Sequence, residues 1–345
     1  MLLGLLAAAV ARAYYDPAPP ATYMQPQSAG DPSDVGSKVH DAILMFRAQQ
    51  LAMRGAYLVS SILGPLQSGR GFGVLSQLPF ILFGLWLGAA LWWVTRRLYN
   101  NAGGYIALAL YCSSSAVVAL SSHVNAEIIA AWGLFGIVYT AIGVAHTLYA
   151  PPKKWRPRIV LLGTAFGITA AAHVSTALVG LVLAALFMLY LAPGRRLASI
   201  IILAEAGIIA FFILWACYGF SQSFFAIDLA SALQPKISLH QARLLLTPAY
   251  LPLLFLLAIS LLTFFIWPHT RYFGNWAPLL VFTLLVAVSF GPDESLAWAL
   301  PFAFVFIGGI FADLLETRWQ RSVAFAAVLA IALQAGFAVG LFRAG

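Results

Sequence analysis

The sequence predicts an all-α polytopic membrane protein with about eleven transmembrane helices. Three observations carry that expectation. Of 345 residues, 62% are hydrophobic and 9% charged, against roughly 25% charged in soluble domains. Apolar runs of helix length recur along nearly the whole chain, each approaching the ~30 Å of a hydrocarbon core. The basic residues come in short clusters between those runs, and the acids mostly fall in the alternate loops. The length would suit two soluble domains, but no long polar linker divides the chain. The reading is one membrane domain over 1–345.

Taken in order, the first element is a short helix over 2–15. Its "MLLGLLAAAVARA" ends in Ala-x-Ala, like a signal-peptidase site, but has no basic n-region. A retained helix is expected, with a cleaved leader as the alternative. Residues 16–72 form a long outer loop that opens Pro-rich and continues as "HDAILMFRAQQLAMRG". There Arg47, Gln50 and Arg54 follow helical spacing opposite Ile43, Leu44, Phe46 and Leu51. That pattern predicts an amphipathic helix over 41–58 lying on the outer surface. It is too polar to cross, since each central arginine costs about 2.5–3.5 kcal/mol. The bundle of 73–345 follows, with spans at 73–95, 104–121, 126–149, 158–174, 176–193, 198–218, 247–267, 275–290, 295–314 and 322–342. A second outer loop, 219–246, carries "KISLHQARLLL", in which Lys236, His240 and Arg243 share a face at helical spacing.

Charge orients these elements. Arg96-Arg97, "PPKKWRPR" (151–158), Arg195-Arg196, Arg271 and "ETRWQR" (316–321) all fall on one side of an eleven-span count. That side is cytoplasmic, with the N-terminus inside and the C-terminus outside, as in a bacterial inner membrane. Asp16, Asp31, Asp34, Asp41, Glu127, Asp228, Asp293 and Glu294 then fall on the outer side. The net charge of +8 is thus a topology signal, and no nucleic-acid partner is expected. The partners implied are membrane lipids. Cys112 and Cys217 sit in apolar runs and suggest neither a disulfide nor a metal site. "GRGFG" (69–73) lacks the lysine and strand of a phosphate loop. No internal repeat stands out, which weighs against a transporter.

Ionisable groups at membrane depth are costly and point to function. Here they gather on the outer side. His123, Asn125 and Glu127 mark one helix mouth, and His173 in "AAHVSTAL" marks another. The surface stretches add His40, Asp41 and His240. A plainer role competes at each. Asn125 suits an N-cap, Glu127 a favourable first turn, and His173 a buried hydrogen bond. Glu205, inside 198–218, reads as a structural interhelical bond, and His146 and His269 read as structural. No His, Cys or acid pair has metal-ligand spacing.

The stretch from "LPFILFGLWLGAALWWVTRRLYNN" through "SSHVNAEIIAAWGLFGIVYTA" resembles the GT-C membrane glycosyltransferases, nearest the protein-mannosyltransferase and aminoarabinose-transferase branch (glycosyltransferase family 39-like). In that family a helix ending Arg-Arg/Lys-Leu precedes a small-residue helix, then a polar tetrad whose final acid opens the next apolar helix. Val124-Asn125-Ala126-Glu127 is similar to that tetrad, with Glu127 at the usual Asp. "FGITAAAHVSTALVG…APGRRLAS…WACYGF" resembles a later family segment, with His173 where a lysine is common. "WALPFAFVFIGGIFADLL" is similar to the family's late "RYLLPxLPxLxLLAG" helix, with Trp298 near the Arg-Tyr. The resemblance covers about 73–314 and lies in the shared order of the motifs.

It implies transfer of a sugar from a polyprenyl-phosphate donor to an acceptor at the outer face. The family's base is an acid of an Asp-Glu pair just before the amphipathic helix. His40-Asp41 stands there, which makes Asp41 the implied base, with Asp34 or Asp31 behind it and Glu127 orienting the acceptor or a divalent cation. His40, His123, Asn125, His173, Lys236, His240 and Arg243 are the implied donor and acceptor contacts. The resemblance requires no cofactor, and a divalent cation is the one it allows. The departures matter too: the Asp-Glu pair is absent, and the usual second span with its Pro-Pro is missing or reduced. A catalytically inactive, GT-C-like accessory subunit of a larger membrane complex therefore stands as the alternative.

Overall fold

The computed structural model describes residues 1–3, 5–6, 10, 69–122, 126–151, 155–217, 220, 236–237, 240–247, 250–289 and 296–344. The predicted amphipathic helix 41–58 and the Pro-rich stretch before it lie outside these residues. Helices α1 (Gly69–Leu98), α2 (Asn101–Cys112), α3 (Ser115–Ser122), α4 (Ala126–Thr147), α5 (Arg156–Ala172) and α6 (Val174–Leu191) come first. Then follow α7 (Arg196–Cys217), α8 (His240–Leu245), α9 (Leu251–Ile266), α10 (Phe273–Ala287), α11 (Leu296–Leu315) and α12 (Gln320–Ala344). One two-residue antiparallel ladder pairs β1 (Lys236–Ile237) with β2 (Val288–Ser289), Lys236 opposite Ser289.

Each predicted span from 73 onward is met by a helix, and 104–121 by a pair, α2 and α3, bent by 63°. Among the described residues five segments are long and apolar enough to cross a membrane: Gln77–Leu98, Ala126–Thr147, Val174–Leu191, Pro193–Cys217 and Leu296–Leu315. The bent pair makes a sixth. The chain is a helical membrane protein. α9, α10 and Gln320–Gly336 are shorter apolar helices, so helix length alone carries fewer crossings than the eleven of the sequence reading.

The chain forms two compact units. The first comprises residues 1–12, 81–122 and 236–345, and α11 is its centre. α11 is apolar all round and buried along nearly its whole length, the pattern of a helix enclosed by others. Glycines let α2 and α11 approach closely: a Cβ on Gly308 would lie 2.8 Å from the Gly103 carbonyl oxygen. In lipid, burial of apolar surface drives little association, so such small-residue contacts supply the packing. The α2–α3 break frees carbonyls that hydrocarbon cannot satisfy. The chain satisfies them itself. Ser113 N–H donates to the Ala109 oxygen (3.0 Å), Ser114 N–H to that of Tyr111 (3.3 Å), and Gln334 Nε2, from α12, to that of Leu110 (3.0 Å).

The second unit comprises 13–80 and 123–235, with α4 to α7 as its described bundle. α4 is buried nearly all round, between α5 and α6. A Cβ added to Gly133 would fall 1.7 Å from Thr169 Oγ1, and one on Gly180 would lie 3.0 Å from Ile137 Cδ1. Gly163 and Gly167, four residues apart on α5, seat α7. Cβ atoms there would lie 2.6 and 2.7 Å from the Cβ atoms of Ile209 and Ile213.

The arginines of the predicted cytoplasmic clusters have local work as well. Arg158 Nη1 donates to the Gly143 carbonyl and to Thr147 Oγ1, and Arg195 Nη1 donates to the Leu148 carbonyl at 2.8 Å. Both sit at the C-terminus of α4, where orphan carbonyls and the negative end of the dipole attract cations. In the first unit Arg271 donates to the Phe264 and Phe265 carbonyls at the end of α9. Within each unit the basic loops thus share one end.

Glu205 departs from expectation. The sequence reading gave it an interhelical bond, but it lies exposed on α7, and no described residue hydrogen-bonds it. The cause is the packing of α7: its buried residues are only the narrow stripe Ser199, Ile202 and Ala206.

Candidate functional site

Glu127 occupies the first turn of α4 and is 6% exposed. The orphan amides and positive dipole of that helix end favour a carboxylate there. His173 is the residue between α5 and α6, in extended conformation, and is also 6% exposed. Its N–H donates to the Thr169 oxygen (2.7 Å) as α5 ends, and its carbonyl accepts from Ala177 N–H (3.2 Å) as α6 begins. Ser175 and Thr176, the next polar side chains, are buried with it.

Packing fixes the relative depth of these two groups. α6 runs parallel to α4, and Gly180 lies beside Ile137 and Leu134. Counting back from Gly180 at ~1.5 Å per residue sets His173 within about one turn of Glu127 along the axis. Both therefore occupy the end of the second unit opposite the one capped by Arg158 and Arg195. A buried carboxylate beside a helix N-terminus and an imidazole at a helix break can orient a hydroxyl and hold an anion.

The other predicted residues divide as follows. Asp34, His40, Asp41, His123 and Asn125, with Asp31, lie outside the described residues. Lys236 is in β1, so the single helical face expected for Lys236, His240 and Arg243 is not formed. The backbone there pairs with β2, and α8 begins only at His240. Arg243 is exposed in the last turn of α8. Gln241, which the sequence reading passed over, is fully buried and its Oε1 accepts from Leu296 N–H (3.1 Å), capping α11.

A second polar cluster also escaped the sequence reading. At the arginine-rich end of the first unit, Asn275 Nδ2 donates to Asp313 Oδ2 (3.0 Å) and to the Thr270 oxygen (2.9 Å). Tyr272 donates to Asp313 Oδ1 (3.1 Å), Tyr99 to the Gly274 oxygen (2.5 Å), and Asn100 to Glu316 (3.2 Å). Burial first, then the neighbouring Asp313 carboxylate, pushes the Tyr272 hydroxyl well above the usual tyrosine range. The signal was present as isolated polar residues at the ends of apolar runs. The network ties α2, α10 and α11 together and reads as structural. Beside it lies an apolar cleft of about 580 Å³, lined among others by Leu262, Ile266, Trp267, Arg318 and Trp319. Among the described residues no three His, Cys, Asp or Glu side chains gather as a metal-ligand set.

No protein-family model matches the chain, and no curated protein matches it. A solved structure is similar: the oligosaccharyltransferase of Archaeoglobus fulgidus in its apo form, at a TM-score of 0.49 and 11% identity. The likeness covers 99% of this chain and 54% of that one, so the chain spans about half the length of the protein it matches.

Proposed function

We propose that the chain is a GT-C-type glycosyltransferase of a bacterial inner membrane, taking a sugar from a polyprenyl-phosphate donor at the outer face. What carries the reading is that Glu127 and His173 are both buried at one end of one helical unit, away from the arginine-capped end. The shared order of sequence motifs supports it. In this reading the eleven spans form one membrane domain, with the N-terminus cytoplasmic, the C-terminus outside, and helix 41–58 flat on the outer surface.

The reaction is an inverting displacement. The acceptor hydroxyl attacks the anomeric carbon, an oxygen–carbon bond forms, and the carbon–oxygen bond to phosphate breaks. The polyprenyl phosphate leaves with the electron pair, and the acceptor proton passes to Asp41. Glu127, with Asn125 and His123, orients the acceptor. His173 neutralises the leaving phosphate. A general base of this kind is worth about 10²–10⁴ in rate. Asp41→Asn should therefore lower transfer by that factor in proteoliposomes supplied with a polyprenyl-phosphate sugar, while expression is unchanged. Full activity in Asp41→Asn moves the base to Asp34 or Asp31; a wild type inert with every such donor removes the enzyme reading.

A second reading, an inactive accessory subunit held in a larger membrane complex, is favoured by one observation. Among the described residues, most of α7 is left uncovered. Under it Asp41→Asn is silent, and substitutions on lipid-facing helices release partners.

A further inference from the structure

We propose that the exposed face of α7 binds a transmembrane helix of another membrane protein, one that presents a basic side chain to Glu205 at mid-depth. The inference stands whether or not the chain transfers sugar. Glu205 is the middle residue of the apolar segment Pro193–Cys217, twelve positions from each end. It faces outward from the bundle, where a bilayer offers a carboxylate neither water nor a counter-charge. Carboxylates in membrane spans face a protein partner or a watery cavity, and among the described residues this one meets neither.

The surroundings have the form of a helix seat. Leu197, Ile201, Ala204, Glu205, Ile208 and Phe212 recur at helical spacing along one exposed stripe. Leu197 is 72% exposed, Ile208 59% and Phe212 55%. Ala204 flanks Glu205, and a Cβ on Gly207 would meet nothing within 4 Å. Small residues beside a polar one let a second backbone come near enough for the side-chain bond to form.

Charge selects the occupant. A second copy of this chain would complement Glu205 poorly. In the candidate spans the basic residues sit at the ends: Arg96 and Arg97 close α1, His146 closes α4, and Arg195 and Arg196 open α7. Two copies meeting about α7 would bring Glu205 against Glu205. A different chain with lysine, arginine or histidine near the centre of its span supplies what is missing.

The test uses the full chain in its native membrane. A photo-reactive phenylalanine replaces Ile208, and, as a control, Val182 on the exposed side of α6. Adducts are identified by mass spectrometry. Ile208 should yield one adduct to a membrane protein with a basic residue within a hydrophobic span, and Val182 should not. Glu205→Leu should lower that yield about three- to tenfold, the worth of one interhelical polar contact. Exchanging charges, with Glu205→Lys here and the partner's basic residue changed to glutamate, should restore it. Glu205 is exposed, so the variants should stay monodisperse, and Glu205→Gln serves where Glu205→Leu does not. No adduct, an adduct between two copies, or a yield indifferent to every Glu205 change overturns the proposal.

Discussion

Gly133 and Thr169 meet closely where α4 packs on α5. Thr169 Oγ1 donates back to the Ala165 oxygen at 2.5 Å, so the hydroxyl cannot swing away from Gly133 without losing that bond. A methyl group on Gly133 would overlap it. Gly133→Ala should cost about 1–3 kcal/mol, the range for an overpacked interior. Adding Thr169→Ala should recover part of the loss, and thermal unfolding of the four proteins in detergent gives the coupling. Additive effects would mean the helices do not meet there. The contact was hidden in the sequence because both residues look ordinary inside apolar runs. Glu127 and His173 were legible for the opposite reason: polar groups in such runs are expensive. Their common depth was not, since it depends on the register of α6 beside α4, which hydropathy does not encode.

At the scale of elements, basic residues at the C-terminus of α4 act through its carbonyls. Arg158→Ala removes a charged donor from the Gly143 carbonyl and from Thr147. The expected loss is about 1–2 kcal/mol, less than a fully buried charged hydrogen bond because the arginine is only half-buried. Exposed Arg156, two residues away, should tolerate alanine with no change in unfolding temperature. Equal losses for both would mean that net charge, not capping, is at work. The same elements show what patterning conveys. The spans from 73 onward lie on helices because helix-length apolar runs leave few alternatives. The 63° bend at Ser113–Ser114 does not follow from that rule. Its freed Leu110 carbonyl is met by Gln334, more than two hundred residues on, a partner no local pattern reveals. Lys236 was misplaced for a related reason: its β1 pairing with β2 is a long-range contact, while helical spacing is a local signal.

At the scale of the whole molecule, the proposed topology sets the two ends of one helical unit at the two faces of one membrane. Under the proposed function, Arg158 and Arg195 mark the cytoplasmic end, and Glu127 and His173 mark the outer end where transfer takes place. Sidedness tests this most directly. With Cys112 and Cys217 replaced by serine, single cysteines at Lys153 and at Asp34 are labelled in intact cells with a membrane-impermeant maleimide. The account predicts that Asp34→Cys labels at once and Lys153→Cys only after the membrane is opened. Labelling of both positions in intact cells, or of neither, contradicts it.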